Sequence, residues 1–329
     1  MCTEHTGRVV RAPRVTRVLD AYAAALLRSA LLTVYTFPGP DRHLPDRTER
    51  NLRVGVHQFS PRRRDIQENV RRIVAAARPD VDIIITPELS LTGYDIRDDV
   101  HDLAVDLTAD APPSVVAPLA GLGDTAVAVG MVERGDDHVP YNVAALWSGG
   151  ELLYVHRKVY LPTYGMFDEM RYFGRGRQLE TIELFGWHCG LLICEDFWHP
   201  GLVYVLASRG IDVLFVMAAG AGRGIIGDEQ RVFSSAATWD RIAQTTATLY
   251  GVYVVLCNRT GVEGGVTFAG NSIVVAPDGE IVARAPALEE AVLVAELDRS
   301  RVVRARQPYA HIRDDEPGFV ADLLNRYRA

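Results

Sequence analysis

The sequence predicts an α/β fold, a four-layer α-β-β-α sandwich preceded by an N-terminal helical extension. Three observations point there. A strand, an amphipathic helix and a second buried strand follow one another between Leu52 and Thr86, the grammar of a sheet covered by helices. Buried strand-like runs then recur as far as Leu297, in a number that calls for two sheets. The spacing from Thr125 to Val155 is that of hairpins, leaving no room for the helix that an eight-fold barrel places after nearly every strand.

Residues 1–50 read as the extension. A basic stretch from Arg8 to Arg17 precedes an apolar run from Ala21 to Phe37, and Asp20 and Arg28 interrupt it. A secretory core or a membrane span would not carry those charges, so Thr16 to Thr36 is expected to be an amphipathic or partly buried helix. Pro38-Gly-Pro-Asp-Arg-His-Leu-Pro-Asp46 follows as a linker. Residues 51–300 form the body, and 301–329 a C-terminal tail.

Within the body, Leu52 to His57 alternates as a strand does. Asp65 to Ala77 places Ile66, Val70, Ile73, Val74 and Ala77 on one helical stripe, and Val81 to Thr86 is a buried strand stopped by Pro87. Further strands are expected at Thr125 to Val132, Tyr141 to Trp147, Leu152 to Lys158, Trp187 to Ile193, Ile211 to Met217, Val252 to Cys257, Ser272 to Ala276 and Ala291 to Leu297. Gly201 to Ser208 and Asp228 to Tyr250 have helical spacing, while Gly149-Gly150, Gly264-Gly265 and Pro277-Asp278-Gly279 mark turns.

Bulk properties narrow the function. With 48% hydrophobic and 23% charged residues, the chain has the composition of a globular protein with a sizeable core. A net charge of −7 does not suit a nucleic-acid groove, which needs a basic face to replace counterions along phosphates. The cysteines Cys2, Cys189, Cys194 and Cys257 form no CxxC pair and have no His or Cys cluster at metal-ligand spacing around them. Free thiols in a reducing, cytoplasmic compartment are expected, with no metal or organic cofactor and no nucleic-acid or membrane partner.

Three of the strand-like runs end on reactive side chains: Ile83-Ile-Ile-Thr-Pro-Glu88, Leu152-Leu-Tyr-Val-His-Arg-Lys158 and Gly190-Leu-Leu-Ile-Cys194. In α/β sheets ligands bind beyond the carboxyl ends of strands, so residues placed there share a crevice. Cys194 leaves a buried strand for a helix start, a turn that can present a thiol; its ordinary alternative is an inert core cysteine, the reading given to Cys189. A thiol needs a base, and His188 or His199 could serve, although each also reads as a rim or core imidazole. Glu88 sits among Leu89, Leu91 and Tyr94, apolar surroundings that suit a carboxyl which takes up and returns a proton. Lys158 could lower the thiol pKa and steady an oxyanion; otherwise it is one more surface lysine.

With these residues in place, Leu52 to about Asp298 resembles the nitrilase superfamily of carbon–nitrogen hydrolases. The matching stretches are Pro87-Glu-Leu-Ser-Leu-Thr-Gly-Tyr94, His156-Arg-Lys-Val-Tyr-Leu-Pro162, Leu192-Ile-Cys-Glu-Asp-Phe-Trp-His-Pro200 and Gly270-Asn-Ser-Ile-Val-Val-Ala-Pro-Asp-Gly279. Lys158 to Phe173, with Cys194-Glu-Asp-Phe-Trp198, looks most like the glutaminase domain of glutamine-dependent NAD synthetase. The chain ends about thirty residues after the body, so NAD synthesis is not expected of it alone. Its Met217-Ala-Ala-Gly-Ala-Gly-Arg-Gly224 loop, more glycine-rich than the glutaminase pattern, points away from glutamine.

The resemblance implies a Glu88, Lys158 and Cys194 triad. Glu88 would take the Cys194 proton, Lys158 and the backbone N–H of Glu195 would hold the oxyanion, and Glu169, in the place of the family's second glutamate, would position the lysine. Tyr94, Tyr164, Trp198 and His199 are candidate pocket walls. The expected activity is hydrolysis of a small linear amide or carbamoyl compound. The alternatives are ammonia donation or acyl transfer to a partner enzyme, nitrile hydrolysis, disfavoured because Glu-Asp follows Cys194 where true nitrilases carry Trp-Glu, and a non-catalytic assembly module. The resemblance also implies a homodimer or higher homo-oligomer joined through Trp198 to Arg209.

Overall fold

Among the described residues of the computed structural model, which are 50–78, 80–108, 113–226, 232–309 and 311–327, twelve strands build two six-stranded sheets. The helix expected over Thr16 to Thr36 and the linker from Pro38 to Asp46 lie outside the described residues. The first sheet contains β1 (Leu52–Gln58), β2 (Ile83–Ile85), β3 (Ala126–Arg134), β4 (Pro140–Ser148), β5 (Glu151–Arg157) and, from the far end of the body, Ala291–Leu297. The second contains β6 (Ile182–Leu184), β7 (Trp187–Ile193), β8 (Val213–Ala218), β9 (Tyr253–Asn258), β10 (Ile273–Val275) and β11 (Ile281–Arg284). Ala291–Leu297 is β12, so the orders are β12-β1-β2-β3-β4-β5 and β11-β10-β9-β8-β7-β6.

Strands β1, β2 and β3 pair in parallel, as do β7, β8 and β9, and antiparallel strands flank each set. The alternation of side chains along each strand decides what lies between the layers. Ile83 and Ile85 join Val54, Ala128 and Leu146 against Leu191, Phe215 and Val255 of the other sheet, whereas Ile84 points outward with Val127 and Val129. That outer face is covered by α1 (Ile66–Ala76), which buries Val70 and Ile73. Asp65 caps α1 by accepting the Glu68 N–H at 3.0 Å. The outer face of the second sheet carries α2 (Pro200–Ser208) and α3 (Ser234–Tyr250), which contribute Val203, Leu206, Trp239, Ala243 and Ala247. The layers are therefore helix, sheet, sheet, helix, the sandwich expected from sequence.

Two expectations need correction. The body continues past residue 300: α4 (Arg299–Arg306) inserts Val302 into the core, and only α5 (Pro317–Arg326) of the tail buries no side chain. The strands Ile182–Leu184 and Ile281–Arg284 and the hairpin Thr260–Glu263/Val266–Ala269 were not foreseen. They are too short for alternation to register, and β11 is half exposed along its length. No described helix is long and apolar enough to cross a membrane.

Strand direction assembles the site. Because β4 is antiparallel to both β3 and β5, the carboxyl end of β5 reaches the same edge as that of β2. Glu88, Lys158, Cys194 and Ala219 each follow one of β2, β5, β7 and β8.

Candidate active site

The turn after β2 lies directly against β3. A methyl group on Gly130 would stand 2.3 Å from the Pro87 carbonyl oxygen and 2.5 Å from the Leu89 nitrogen, so only glycine permits this approach. The Ser90 hydroxyl fastens the turn, accepting from the Gly130 N–H and donating to the Gly130 carbonyl, each at 3.1 Å. Glu88 is thereby buried at 1% exposure. Its Oε1 accepts from Lys158 Nζ at 2.6 Å and Asn142 Nδ2 at 2.8 Å, and its Oε2 accepts the Ala219 N–H at 3.0 Å.

Lys158 is fully buried. Its backbone N–H is held by the Asn142 carbonyl at 2.9 Å, and its ammonium also reaches Glu169 Oε1 at 2.8 Å. Burial opposes the charged lysine, but Glu169 and Glu88 together outweigh it and hold the ammonium well above the ordinary lysine range. Glu169 is pushed up to about 7 by burial, against Lys158 and with the help of Glu88. The Tyr94 hydroxyl donates to Glu169 Oε1, and burial followed by the two glutamates raises the phenol well above its usual value. Two acceptors around this array, Asn142 Oδ1 and Glu169 Oε2, are buried with no hydrogen-bond partner among the described residues.

Cys194 follows β7 directly and lies in the left-handed region, at φ 46°, a strained conformation for a residue with a side chain. A 3₁₀ turn, Cys194–Trp198, begins there. Burial first and then Glu88 raise the thiol pKa well above its usual value, with Lys158 and a hydrogen bond from the Ala219 N–H opposing. Burial and the Glu88 charge thus both favour the protonated sulfur before substrate binds. The Ala219 N–H is bonded to Glu88 Oε2, so the amide that favours the thiolate also holds the carboxylate of the base. The Glu195 N–H belongs to the first turn after the nucleophile, where amides have no intrahelical acceptor.

The structure thus joins Glu88, Lys158, Cys194 and Glu169, and it adds Tyr94 to the array through its hydroxyl. Glu169 also opens the helix Glu169–Tyr172. Tyr164 is 52% exposed and donates to the Glu195 side chain at 2.7 Å. The Trp198 indole packs edge-on against Trp239, 5.2 Å between centroids. The His199 ring stacks on Tyr160 at 3.4 Å. Neither histidine serves the thiol, because His188 sits at the opposite end of β7 with its Nε2 2.7 Å from the Thr181 hydroxyl.

Three residues of the site escaped the sequence reading. Asn142 is a lone amide in a buried run, a signal that was available. Ala219 acts only through its backbone. Asp196, fully buried two residues past the nucleophile, accepts from the Val159 N–H at 3.0 Å and the Tyr160 N–H at 2.8 Å and lies 2.9 Å from His156 Nε2. Tyr94 and Glu169 also face a cavity of about 440 Å³ lined by Met166, Tyr172, Phe173 and Phe268; Cys194 does not line it. Among the described residues no group of three or more His, Cys, Asp or Glu is disposed to hold a metal ion.

Comparison with known proteins shows the family and the fold. The sequence model of the carbon-nitrogen hydrolase family matches residues 53–307. The glutamine-dependent NAD(+) synthetase of Acinetobacter baylyi is 30% identical over 253 residues, which are 76% of this chain but 44% of that protein. The chain therefore spans less than half the length of that relative. A hydrolase encoded in the pqqF 5' region of Pseudomonas protegens is 28% identical, with 84% of this chain and 93% of that protein covered. The N-carbamoylputrescine amidase of Arabidopsis thaliana is 31% identical over 196 residues, 56% of this chain and 64% of that protein. Among solved structures, a carbon-nitrogen hydrolase from Helicobacter pylori superposes with a TM-score of 0.71 at 24% identity, covering 84% of this chain and 99% of that one.

Proposed function

Because the chain belongs to the carbon–nitrogen hydrolase family, we propose that it is an amidase that opens the C–N bond of a small linear amide or carbamoyl compound through a thioester on Cys194. The observation that carries this reading is the buried Glu88 carboxylate, held by Lys158 Nζ and Asn142 on one oxygen and by the Ala219 N–H on the other, beside the buried Cys194 thiol whose charge Glu88 and Lys158 oppose and favour in turn. Oε2, which accepts only the Ala219 N–H, is the oxygen of the base that Lys158 and Asn142 leave for the thiol proton.

As Sγ adds to the carbonyl carbon, its proton passes to Glu88 Oε2 and the carbonyl oxygen becomes an oxyanion facing Lys158 Nζ and the Glu195 N–H. Glu88 returns the proton to the departing nitrogen, the C–N bond breaks and ammonia or an amine leaves. A water then gives one proton to Glu88 as it attacks the thioester, and that proton restores the thiol as the acid departs. Asn142 Oδ1 and Glu169 Oε2, buried acceptors without a partner among the described residues, suit the N–H donors of an amide or carbamoyl group. A nitrile offers no such donors, which favours amide over nitrile hydrolysis.

A second reading is release of ammonia from glutamine for a partner enzyme, and the identity to the NAD synthetase supports it. Ammonia release from a panel of simple amides, carbamoyl amines, carbamoyl amino acids, glutamine and nitriles separates the two. Turnover of simple amides or carbamoyl compounds is expected. Activity confined to glutamine would select the second reading, and activity confined to nitriles would overturn both.

A further inference from the structure

Arg259 is a fully buried guanidinium outside the array described above. It lies 4.1 Å from the centroid of the Phe268 ring, and its backbone N–H bonds the Ala218 carbonyl at 3.0 Å, the other end of the peptide whose N–H Glu88 accepts. Among the described residues its ion pair is with Glu263, Nη2 to Oε2 at 2.9 Å, while Nε and Nη1 have no hydrogen-bond partner. A buried charge with so few contacts holds its single carboxylate firmly, because losing that carboxylate would leave the charge uncompensated.

The other oxygen of Glu263 is committed to the active-site wall. Oε1 accepts the Tyr94 N–H at 2.7 Å and the Asp95 N–H at 2.5 Å. Gly93, at φ 78°, leaves the space this needs: a methyl group there would stand 2.9 Å from Glu263 Oε2. Phe268 under the guanidinium also meets the Tyr94 ring, 6.1 Å between centroids. The continuous path is Arg259 to Glu263, to the Tyr94 backbone, through the tyrosine hydroxyl to Glu169 and so to Lys158.

We propose that Arg259 and Glu263 are positioning residues for the Cys194 chemistry, fixing the Tyr94 turn so that its hydroxyl meets Glu169 and Lys158 is left available to Glu88 and the sulfur. Glu169 accepts from both Tyr94 and Lys158. Without the phenol it draws the ammonium toward itself, and the sulfur loses part of the charge that favours its thiolate.

The test is a double-mutant cycle of Glu263→Gln and Tyr94→Phe, read by the iodoacetamide alkylation rate of Cys194 and by kcat and KM for ammonia release. The proposal rests on the amidase reading for kcat, but alkylation needs no substrate, so a wrong substrate assignment leaves that arm intact. Each single variant should lower alkylation and kcat about tenfold with KM moved less than about threefold, and the double variant should be no worse than Tyr94→Phe alone. Losses that multiply, or alkylation unchanged in Glu263→Gln, would overturn it. Should Glu263→Gln fail to fold, Arg259→Lys enters the same cycle under the same two criteria.

Discussion

Asp196 and Tyr160 are joined by a 2.8 Å hydrogen bond from the Tyr160 N–H, so the turn that presents the nucleophile grips the chain two residues past Lys158. The same carboxylate takes the Val159 N–H and approaches the Ile193 N–H and the buried His156 ring. Asp196→Asn replaces one acceptor oxygen with a donor facing donors. We expect a stability loss of about 3 kcal/mol in urea unfolding, from buried groups left unpaired. Turnover should fall about a hundredfold as Lys158 and Cys194 lose their common reference. A variant with wild-type kcat would show that the clamp is not needed for the chemistry.

The contact of Gly130 with the Glu88 turn gives a second expectation. Its Cβ position is occupied by backbone atoms of Pro87, Glu88 and Leu89, which cannot rotate aside as a side chain can. Gly130→Ala must push the base away from β3, at about 1–3 kcal/mol of overpacking. Ammonia release should drop more steeply than the melting temperature, whereas Gly123→Ala, at a position with no neighbour within 4 Å, should spare activity. Equal activities in the two variants would contradict this account.

Which parts of this were legible beforehand follows from how far each interaction reaches along the chain. The Val70 and Ile73 stripe and the run ending at Ile193 repeat locally, and periodicity exposes them. Glu88, Lys158 and Cys194 stood out because each closes an apolar run with a reactive group. Asp196 could not be recognised as a clamp, since its acceptors are filled by backbone 36 and 37 residues away. Glu263 bonds amides more than 160 residues earlier, from a hairpin too short to register as one. The ring contacts of Trp198 with Trp239 and of His199 with Tyr160 were likewise not legible, since each partner lies about 40 residues away in the chain.

His57, stacked on Phe59 at 4.3 Å, makes a pH expectation. Burial first, then Arg72, lowers its pKa from 6.5 to about 4, with Glu290 opposing. Between those values the unfolded chain takes up a proton that the folded protein refuses, so stability falls as pH drops through the window and is full above about 6.5. The contribution is of order 3 kcal/mol. Against wild type, His57→Asn should show a shallower decline of melting temperature from pH 6.5 to 4; parallel curves would mean that the ring is protonated in the folded state.

The opposed influences on Cys194 separate the two roles of Glu88. Its charge is the second cause, after burial, of the raised thiol pKa, yet it is also the group that must accept the thiol proton during turnover. Glu88→Gln removes the negative charge and leaves Lys158 paired with Glu169. Turnover should therefore fall at least about a thousandfold for want of a base. Alkylation of Cys194 by iodoacetamide at pH 8 should instead become faster, because the thiolate is no longer repelled while the ammonium remains. Loss of both activities together, in a folded variant, would mean that the carboxylate activates the sulfur in the resting enzyme and that the proton has already moved before substrate arrives.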